Sequence, residues 1–379
     1  MRQNLTELEQ RAIDAPINLA DGHPRQDPTP EQQSITERLP ALLAEAQEED
    51  FETLERRAQR RFLDSLGQDA APVDRGRVFS VYSSSVATMV VGRVLRERHT
   101  KVALVHPTFD NIPDLLRVDH ELVPISEEDL DAGDLDAVDR ARASALWVTT
   151  PNNPTGWLLE RDGFVRLADE AARRGITLCL DTSFRGFDVR AQYDTYDVLE
   201  RTGVEYVVVE DTGKLWPVAE LKLGLLAVSE SLSTPVEHAL SDVLLTVSPL
   251  VLALVEELAC DAAAGGYAAL HRLVADNRAD TFAVVGAMEV AEVVDDHDAR
   301  VSVSRIRFDS GAEADRARSA LRARGVHVLP CNQFHWSDPA QGAPMIRIAL
   351  ARNRETIAEA LARFESAVAD LSRVHVLGR

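Results

Sequence analysis

Glu210-Asp211-Thr212-Gly213-Lys214-Leu215-Trp216-Pro217-Val218-Ala219-Glu220-Leu221-Lys222-Leu223-Gly224 follows the apolar run Tyr206–Val209 and carries two of the three lysines in a 379-residue chain. The third is Lys101, and arginine supplies the rest of the positive charge. A lysine at the end of a valine-rich strand, followed by small residues and a second cation, is placed for amine chemistry. Lysine shifts its pKa when buried and can form a Schiff base, which arginine cannot do. Scarcity does not by itself assign that role, because a strong arginine bias also leaves few lysines. The neighbouring segments decide.

Working outward, short apolar runs alternate with helical patterns from Val78 onward, the signature of a mostly parallel sheet with crossover helices. The strand candidates are Val102–Val105, Ala145–Thr149, Ile176–Leu180 and Tyr206–Val209. Arg161–Arg174 repeats apolar residues at Phe164, Leu167 and Ala171 and reads as a helix. Residues 31–66 read as helices, and residues 243–285 as one or two long ones with Pro249 and Gly265-Gly266 as breaks. The last hundred residues return to alternation and suggest a smaller α+β lobe. The first 30 combine a short helical pattern (Leu5, Leu8, Ile13) with the polar stretch Asp21-Gly22-His23-Pro24.

Each strand candidate ends in a polar cluster: His106-Pro107-Thr108-Phe109-Asp110-Asn111, Pro151-Asn152-Asn153-Pro154-Thr155-Gly156, Asp181-Thr182-Ser183-Phe184, and the lysine segment. Ligands of open α/β sheets bind outside the carboxyl ends of the strands, so four such clusters point to one shared pocket. Tyr82-Ser83-Ser84-Ser85 precedes the helical run Val86–Arg98, and hydroxyls at a helix N-terminus suit a phosphate. A phosphate site at Ser84 and Ser85, an aromatic, an amide, a carboxylate and a lysine are what pyridoxal 5′-phosphate requires. In that scheme the lysine anchors the cofactor, the carboxylate pairs with the pyridinium nitrogen, the aromatic stacks on the ring and Lys222 adds a charge to the phosphate.

Composition narrows the class. A net charge of −21 argues against nucleic-acid partners and anionic membranes. Three cysteines without metal spacing suggest reduced thiols in a cytosolic protein, and no metal site is expected. No apolar h-region opens the chain and no 18-residue apolar run occurs, so a soluble cytoplasmic protein is expected.

From Val78 to Arg352 the sequence resembles fold-type I pyridoxal-phosphate enzymes of the aspartate aminotransferase family, most specifically in Asn153-Pro154-Thr155-Gly156 and the lysine segment. The resemblance implies an α/β fold, with a large domain of a mostly parallel seven-stranded sheet flanked by helices and a smaller α+β domain. The expected division is an arm over the active site at 1–28, the cofactor-binding domain at 29–275 and the small domain at 276–379. It implies that Lys214 is the Schiff-base lysine, that Asp181 binds the pyridine nitrogen, that Phe109 stacks over the ring, and that Asn153 sits near the ring hydroxyl and the substrate carboxylate. It also implies that Arg347 grips the substrate α-carboxylate and that the active sites form in a homodimer. Two positions depart from the family. Phe184 stands where a tyrosine is usual, leaving Ser183 as a substitute hydroxyl, and Asp211-Thr212-Gly213 replaces the usual Ser-x-Ser approach to the lysine.

Those departures are similar, almost end to end, to the pyridoxal-phosphate-dependent L-arginine oxidases or hydroxylases of nonribosomal-peptide pathways. The shared segments include Asn4–Glu9, Ala20–His23, Asp181–Asp188 and Glu210–Pro217. This resemblance implies O2 as co-substrate, and 4-hydroxy-2-ketoarginine and 2-ketoarginine as products with ammonia and peroxide. It places Thr6, Glu9 and Asp211 at the substrate guanidinium and His23 beside the reacting carbons. The alternatives are a conventional aminotransferase of arginine or a related amino acid, and a non-catalytic regulator or scaffold built on the same fold.

Overall fold

The chain is described by a computed structural model covering residues 3–218, 220–294 and 298–377. The expected outer domain limits at residues 1 and 379 lie outside the described residues. Seven strands form the large sheet: β1 (Val78–Val81), β2 (Lys101–His106), β3 (Glu121–Ser126), β4 (Ala145–Thr149), β5 (Thr177–Asp181), β6 (Tyr206–Asp211) and β7 (Gly224–Val228). Their order across the sheet is β1-β7-β6-β5-β4-β2-β3. Only β7 runs antiparallel to its neighbours, and the other four pairings are parallel.

Every residue of β4, β5 and β6 is buried, because helices cover both faces. That explains their continuous apolar runs, which is how strands buried on both sides read. Alternate residues feed two separate cores. Leu146, Val148, Leu178 and Val208 join one with the helices Phe51–Ser65, Arg161–Arg174 and Pro249–Asp261. Ala145, Trp147, Cys179 and Val207 join the other with the helices Ser84–Leu95 and Glu230–Ser241. The edge strand β3 carries Pro124 and an exposed Glu121, whose carboxylate takes Lys101 at 2.9 Å. Proline and charge are tolerated at an edge, and they hide the strand from a hydrophobicity pattern.

A second, antiparallel sheet contains β8 (Ala291–Val293), β9 (Val303–Phe308), β10 (Leu329–Pro330) and β11 (Met345–Ala349), in the order β10-β11-β9-β8. The N-terminal segment is tied to this unit by Ile17–Asn18, which pairs in parallel with Val326–His327. Ahead of it, helix α1 (Leu5–Arg11) starts at Asn4, whose side chain accepts from the Glu7 N–H. The apolar pattern expected to extend to Ile13 stops short: α1 ends at Arg11 and Ile13 is exposed.

Two other expectations shift. The third strand candidate moves one residue, so that Asp181 ends β5 instead of following it. The long helical tract breaks where glycine permits. Pro249 opens Pro249–Asp261, and Gly265, at φ 106°, interrupts the chain before Tyr267–Gly286.

One contact sets the geometry of the site from beneath. Helix α2 (Ser84–Leu95), capped by Ser83, begins where β7 passes closest to it. A Cβ on Gly224 would lie 2.6 Å from the Ser83 carbonyl carbon and 3.0 Å from the Ser84 nitrogen. Gly224→Ala must therefore displace the start of α2. The expected outcome is a loss of about 1–3 kcal/mol in denaturant titrations, with weaker binding of a phosphate-bearing cofactor by equilibrium dialysis.

Candidate active site

Lys214 ends a 3-10 turn, Thr212–Lys214, that follows β6 directly. Asp211 shapes this turn, since its Oδ1 accepts the Gly213 N–H at 2.8 Å. Thr212 locks the turn to the start of β7 through Leu223, which donates to its hydroxyl at 2.8 Å. Trp216, two residues on, is buried edge-on against Phe62 and stacked on Tyr267. This aromatic wedge holds the turn down while the Lys214 side chain faces a cavity of about 420 Å³.

The cavity collects nearly all the residues expected from sequence. Thr6, Glu9 and His23 come from the N-terminal segment, Ser84 and Ser85 from the start of α2, and Phe109 from the turn after β2. Asn153, Asp181, Ser183, Asp211, Lys214 and Lys222 come from the ends of β4, β5 and β6. Arg347 is the exception. It lies fully buried in β11 behind the cavity wall, with its Nη2 donating to Glu9 Oε1 at 3.1 Å. Its Nε and Nη1 have no partner. Glu9 thus faces an arginine of the protein itself.

Two local arrangements differ from the simplest expectation. The Ser183 hydroxyl, the substitute for the missing phenol, donates to Asp181 Oδ1 at 2.5 Å, and the Ser183 N–H joins it at 3.0 Å. Lys222, expected at the phosphate, lies 2.9 Å from His23 Nε2 and 2.8 Å from Glu220. Ser84 donates to Asp211 Oδ2 at 2.9 Å, and Ser85 accepts from Asn111 at 2.8 Å.

The electrostatics follow from burial. Desolvation pushes the Asp181 carboxyl up to about 6, partly offset by the Ser183 hydrogen bonds and raised further by the nearby Asp211. Asp211 meets the same desolvation but faces Lys214, Lys222 and His23, which together hold it below the ordinary carboxylate value.

Sequence reasoning missed Asp21, Arg25, Glu220 and Arg352. Arg352 is buried and donates to the carbonyls of Asn18, Asp21 and His23. Desolvation pulls it down to about 9. The available signal was the alternating charge of Asp21-Gly22-His23-Pro24-Arg25, with a second arginine five residues beyond Arg347.

The model of the aminotransferase class I and II family matches residues 15–364. The chain belongs to that family. The solved structure of MppP soaked with the product 2-ketoarginine superimposes with a TM-score of 0.89 at 44% identity, covering 92% of this chain and 99% of that one. Aspartate aminotransferase from Thermus thermophilus with maleate has a TM-score of 0.76 at 17% identity over 97% of each chain, a likeness of fold. Histidinol-phosphate aminotransferase of Bacillus pumilus (strain SAFR-032) is 25% identical over 161 residues. That match covers 41% of this chain and 44% of the relative, so the chain spans less than half the length of this curated relative.

The residues present fit the family's cofactor, pyridoxal 5′-phosphate. Both Ser183 bonds fall on Asp181 Oδ1, leaving Oδ2 to a cationic ring nitrogen. Asn153 Oδ1 is buried without a partner in the cavity. The Lys214 amine makes no ion pair among the described residues and lies 6.0 Å from the Phe184 ring centroid. Lys214, Asp181, Asn153, Phe109, Ser84 and Ser85 would hold the group, which when bound supplies an electron sink for charge developing at a substrate Cα.

The raised Asp181 pKa gives a signed prediction. A carboxyl whose folded pKa exceeds its unfolded value near 3.8 contributes stability below that value, and loses it as pH rises through about 6. Thermal melts of the cofactor-free protein should fall across that window by an amount equivalent to roughly 3 kcal/mol. Asp181→Asn should flatten the fall, and so should pyridoxal phosphate, whose ring nitrogen neutralises the ionised carboxylate.

Proposed function

We propose that this protein oxidises L-arginine with O2, using pyridoxal 5′-phosphate and no other redox group. The observation that carries this reading is the 44% identity, spread over 92% of the chain, with MppP, a protein whose structure was solved with the product 2-ketoarginine. The balanced reaction takes L-arginine, O2 and water to 2-ketoarginine, ammonia and hydrogen peroxide. A second O2 and a second water give 4-hydroxy-2-ketoarginine and another peroxide, with the new hydroxyl oxygen coming from water.

The site chemistry supports the reading. Arg347 leaves Nε and Nη1 without a hydrogen-bond partner among the described residues, and Nη2, now on Glu9, completes a bidentate edge for a planar carboxylate once Glu9 turns away. At the other end, Glu9, Asp211 and Thr6 provide acceptors for a substrate guanidinium, with Glu9 exchanging its present partner for the ligand. The Lys214 amine takes the Cα proton once substrate has displaced it from the cofactor. His23 is the candidate acceptor and water-positioner at the far carbons. The described part of the arm lines the cavity through Thr6, Glu9 and His23, where it would keep water from the reacting centre. Tyr82, Met89 and Leu245 are exposed apolar side chains, with Tyr82 adjoining the cavity-lining Ser83, and they support a homodimer. Free cysteines are compatible with a cytosolic location, and a role in antibiotic biosynthesis rests on the family resemblance.

An oxygen electrode tests the reaction. Holoenzyme mixed with L-arginine should consume one O2 per 2-ketoarginine and two per hydroxylated product. Arginine-dependent amino transfer to a 2-oxo acid without O2 uptake would instead make the protein a conventional aminotransferase. Lys214→Ala should abolish both turnover and the visible absorbance gained on binding the cofactor. Arg347→Lys, which replaces a planar fork with a point charge, should raise KM for arginine about tenfold, roughly 1.4 kcal/mol of binding.

A further inference from the structure

Asp21, to which the sequence reading gave no role, accepts three hydrogen bonds and makes one further ion-pair contact. His23 Nδ1 lies 2.7 Å and the His23 N–H 2.8 Å from its Oδ1. Arg25 takes Oδ2 through Nε at 2.9 Å and Nη2 at 2.8 Å. The backbone around it is equally tied. Asn18 Oδ1 accepts the N–H groups of Ala20 and Asp21, both at 3.0 Å. Arg352 clamps the carbonyls of Asn18 at 2.7 Å, Asp21 at 2.6 Å and His23 at 2.8 Å. On the other side of the imidazole, Nε2 lies 2.9 Å from Lys222 Nζ, which reaches Glu220 at 2.8 Å.

The donor and acceptor inventory leaves one arrangement for the neutral ring. An ionised carboxylate only accepts and an ammonium only donates. Burial pushes the Asp21 carboxyl up, but the His23 and Arg25 interactions outweigh it and hold it well below the usual range, so it is ionised at neutral pH. Nδ1 therefore carries the proton, and the lone pair sits on Nε2. Both ends of the chain Lys222–His23–Asp21 require the same tautomer. Besides Asp21, Lys222 and Arg25, the charged groups that face His23 are Glu220 and Asp211.

We infer that Asp21 is the positioning residue of His23, holding its ring with Nδ1 protonated and the basic Nε2 turned to the cavity beside Lys222. This rests on the reading of His23 as a proton acceptor in arginine oxidation. Asp21 touches neither substrate nor cofactor and acts only through the imidazole. Removing its carboxylate leaves Lys222, among these contacts, as the one that still favours this tautomer, and frees the ring to turn. A ring protonated at Nε2 would set donor against donor at Lys222 and would present no lone pair to a water in the cavity.

The test uses the holoenzyme with 15N-labelled histidine. Long-range 1H–15N correlation, with the His23 signals assigned by their loss in His23→Ala, should show a protonated Nδ1 and an unprotonated Nε2. In Asp21→Ala, where Lys222 alone still favours that form, the preference should weaken and Nε2 protonation should become detectable. An Nε2-protonated ring in the unaltered protein overturns the inference whatever the enzyme catalyses.

Kinetics supply the second arm. Asp21→Ala and His23→Ala should each lower the rate of hydroxylated product formation by about 100-fold, with KM for arginine unchanged. The double variant should be no worse than His23→Ala alone. A further loss in the double variant, or a change confined to KM, shows a merely structural carboxylate and overturns the proposal. So does an unchanged product mixture in His23→Ala, which would leave arginine oxidation itself standing. Absence of O2 uptake by the unaltered enzyme would remove the reaction but not the tautomer.

Discussion

Two carboxylates buried at the carboxyl ends of adjacent parallel strands set the terms for the rest of this molecule. Asp181 ends β5 and Asp211 ends β6, and neither reaches solvent appreciably. Burying a charge is costly unless it is paired, and two like charges raise the cost. The chain meets it unevenly. Asp211 receives Lys214, Lys222 and His23, the Gly213 N–H and the Ser84 hydroxyl. Asp181 has the two donors of Ser183 and a weaker influence from the charge of Lys214, and remains the more basic carboxyl. The imbalance leaves one buried carboxylate in want of a cation, which a pyridinium nitrogen supplies.

The N-terminal segment completes the charge balance from above. Helix α1 has only seven residues and could not persist on propensity alone. Leu5 and Ala12 hold it in place by packing with Leu329, Cys331, Phe334 and Met345, while the Leu5 N–H donates to Asp110 at 2.8 Å. With the helix so placed, Glu9 reaches Arg347. A buried guanidinium with two unpartnered nitrogens costs free energy, and the pairing with Glu9 limits that cost. In the proposed reaction a substrate carboxylate would take the place of Glu9 on Arg347, which would couple the position of the arm to occupancy of the site.

The central strands and the chemistry at their ends were legible in the sequence because burial on both faces produces runs such as Ala145–Thr149 that no surface segment imitates. Lys214 and Asp181 stood out for the same reason, as polar residues ending apolar strands. β3 was hidden by Pro124 and its edge position, and β7 by following the lysine segment directly. The Asp21 and Arg352 contacts were illegible for another reason. They join residues 331 positions apart through side chain and carbonyl, and no local pattern encodes such a clamp. Lys222 shows the limit of residue-by-residue transfer: the cation is where expected in sequence, yet its partners are His23 and Glu220.

The replacement at position 184 gains meaning from these contacts. A tyrosine there would bring a phenolic proton near the Lys214 amine. Phenylalanine brings only a ring, and the adjacent Ser183 hydroxyl is spent on Asp181. In the proposed reaction the proton-handling groups would then form two sets, the amine of Lys214 from the turn after β6 and the imidazole of His23 from the N-terminal segment. A reaction that removes protons from two carbons of one substrate needs two such groups, spaced apart and not exchanging protons through an intervening phenol. The loss of the hydroxyl is therefore consistent with chemistry that extends beyond Cα, where a simple amino transfer would need Lys214 alone.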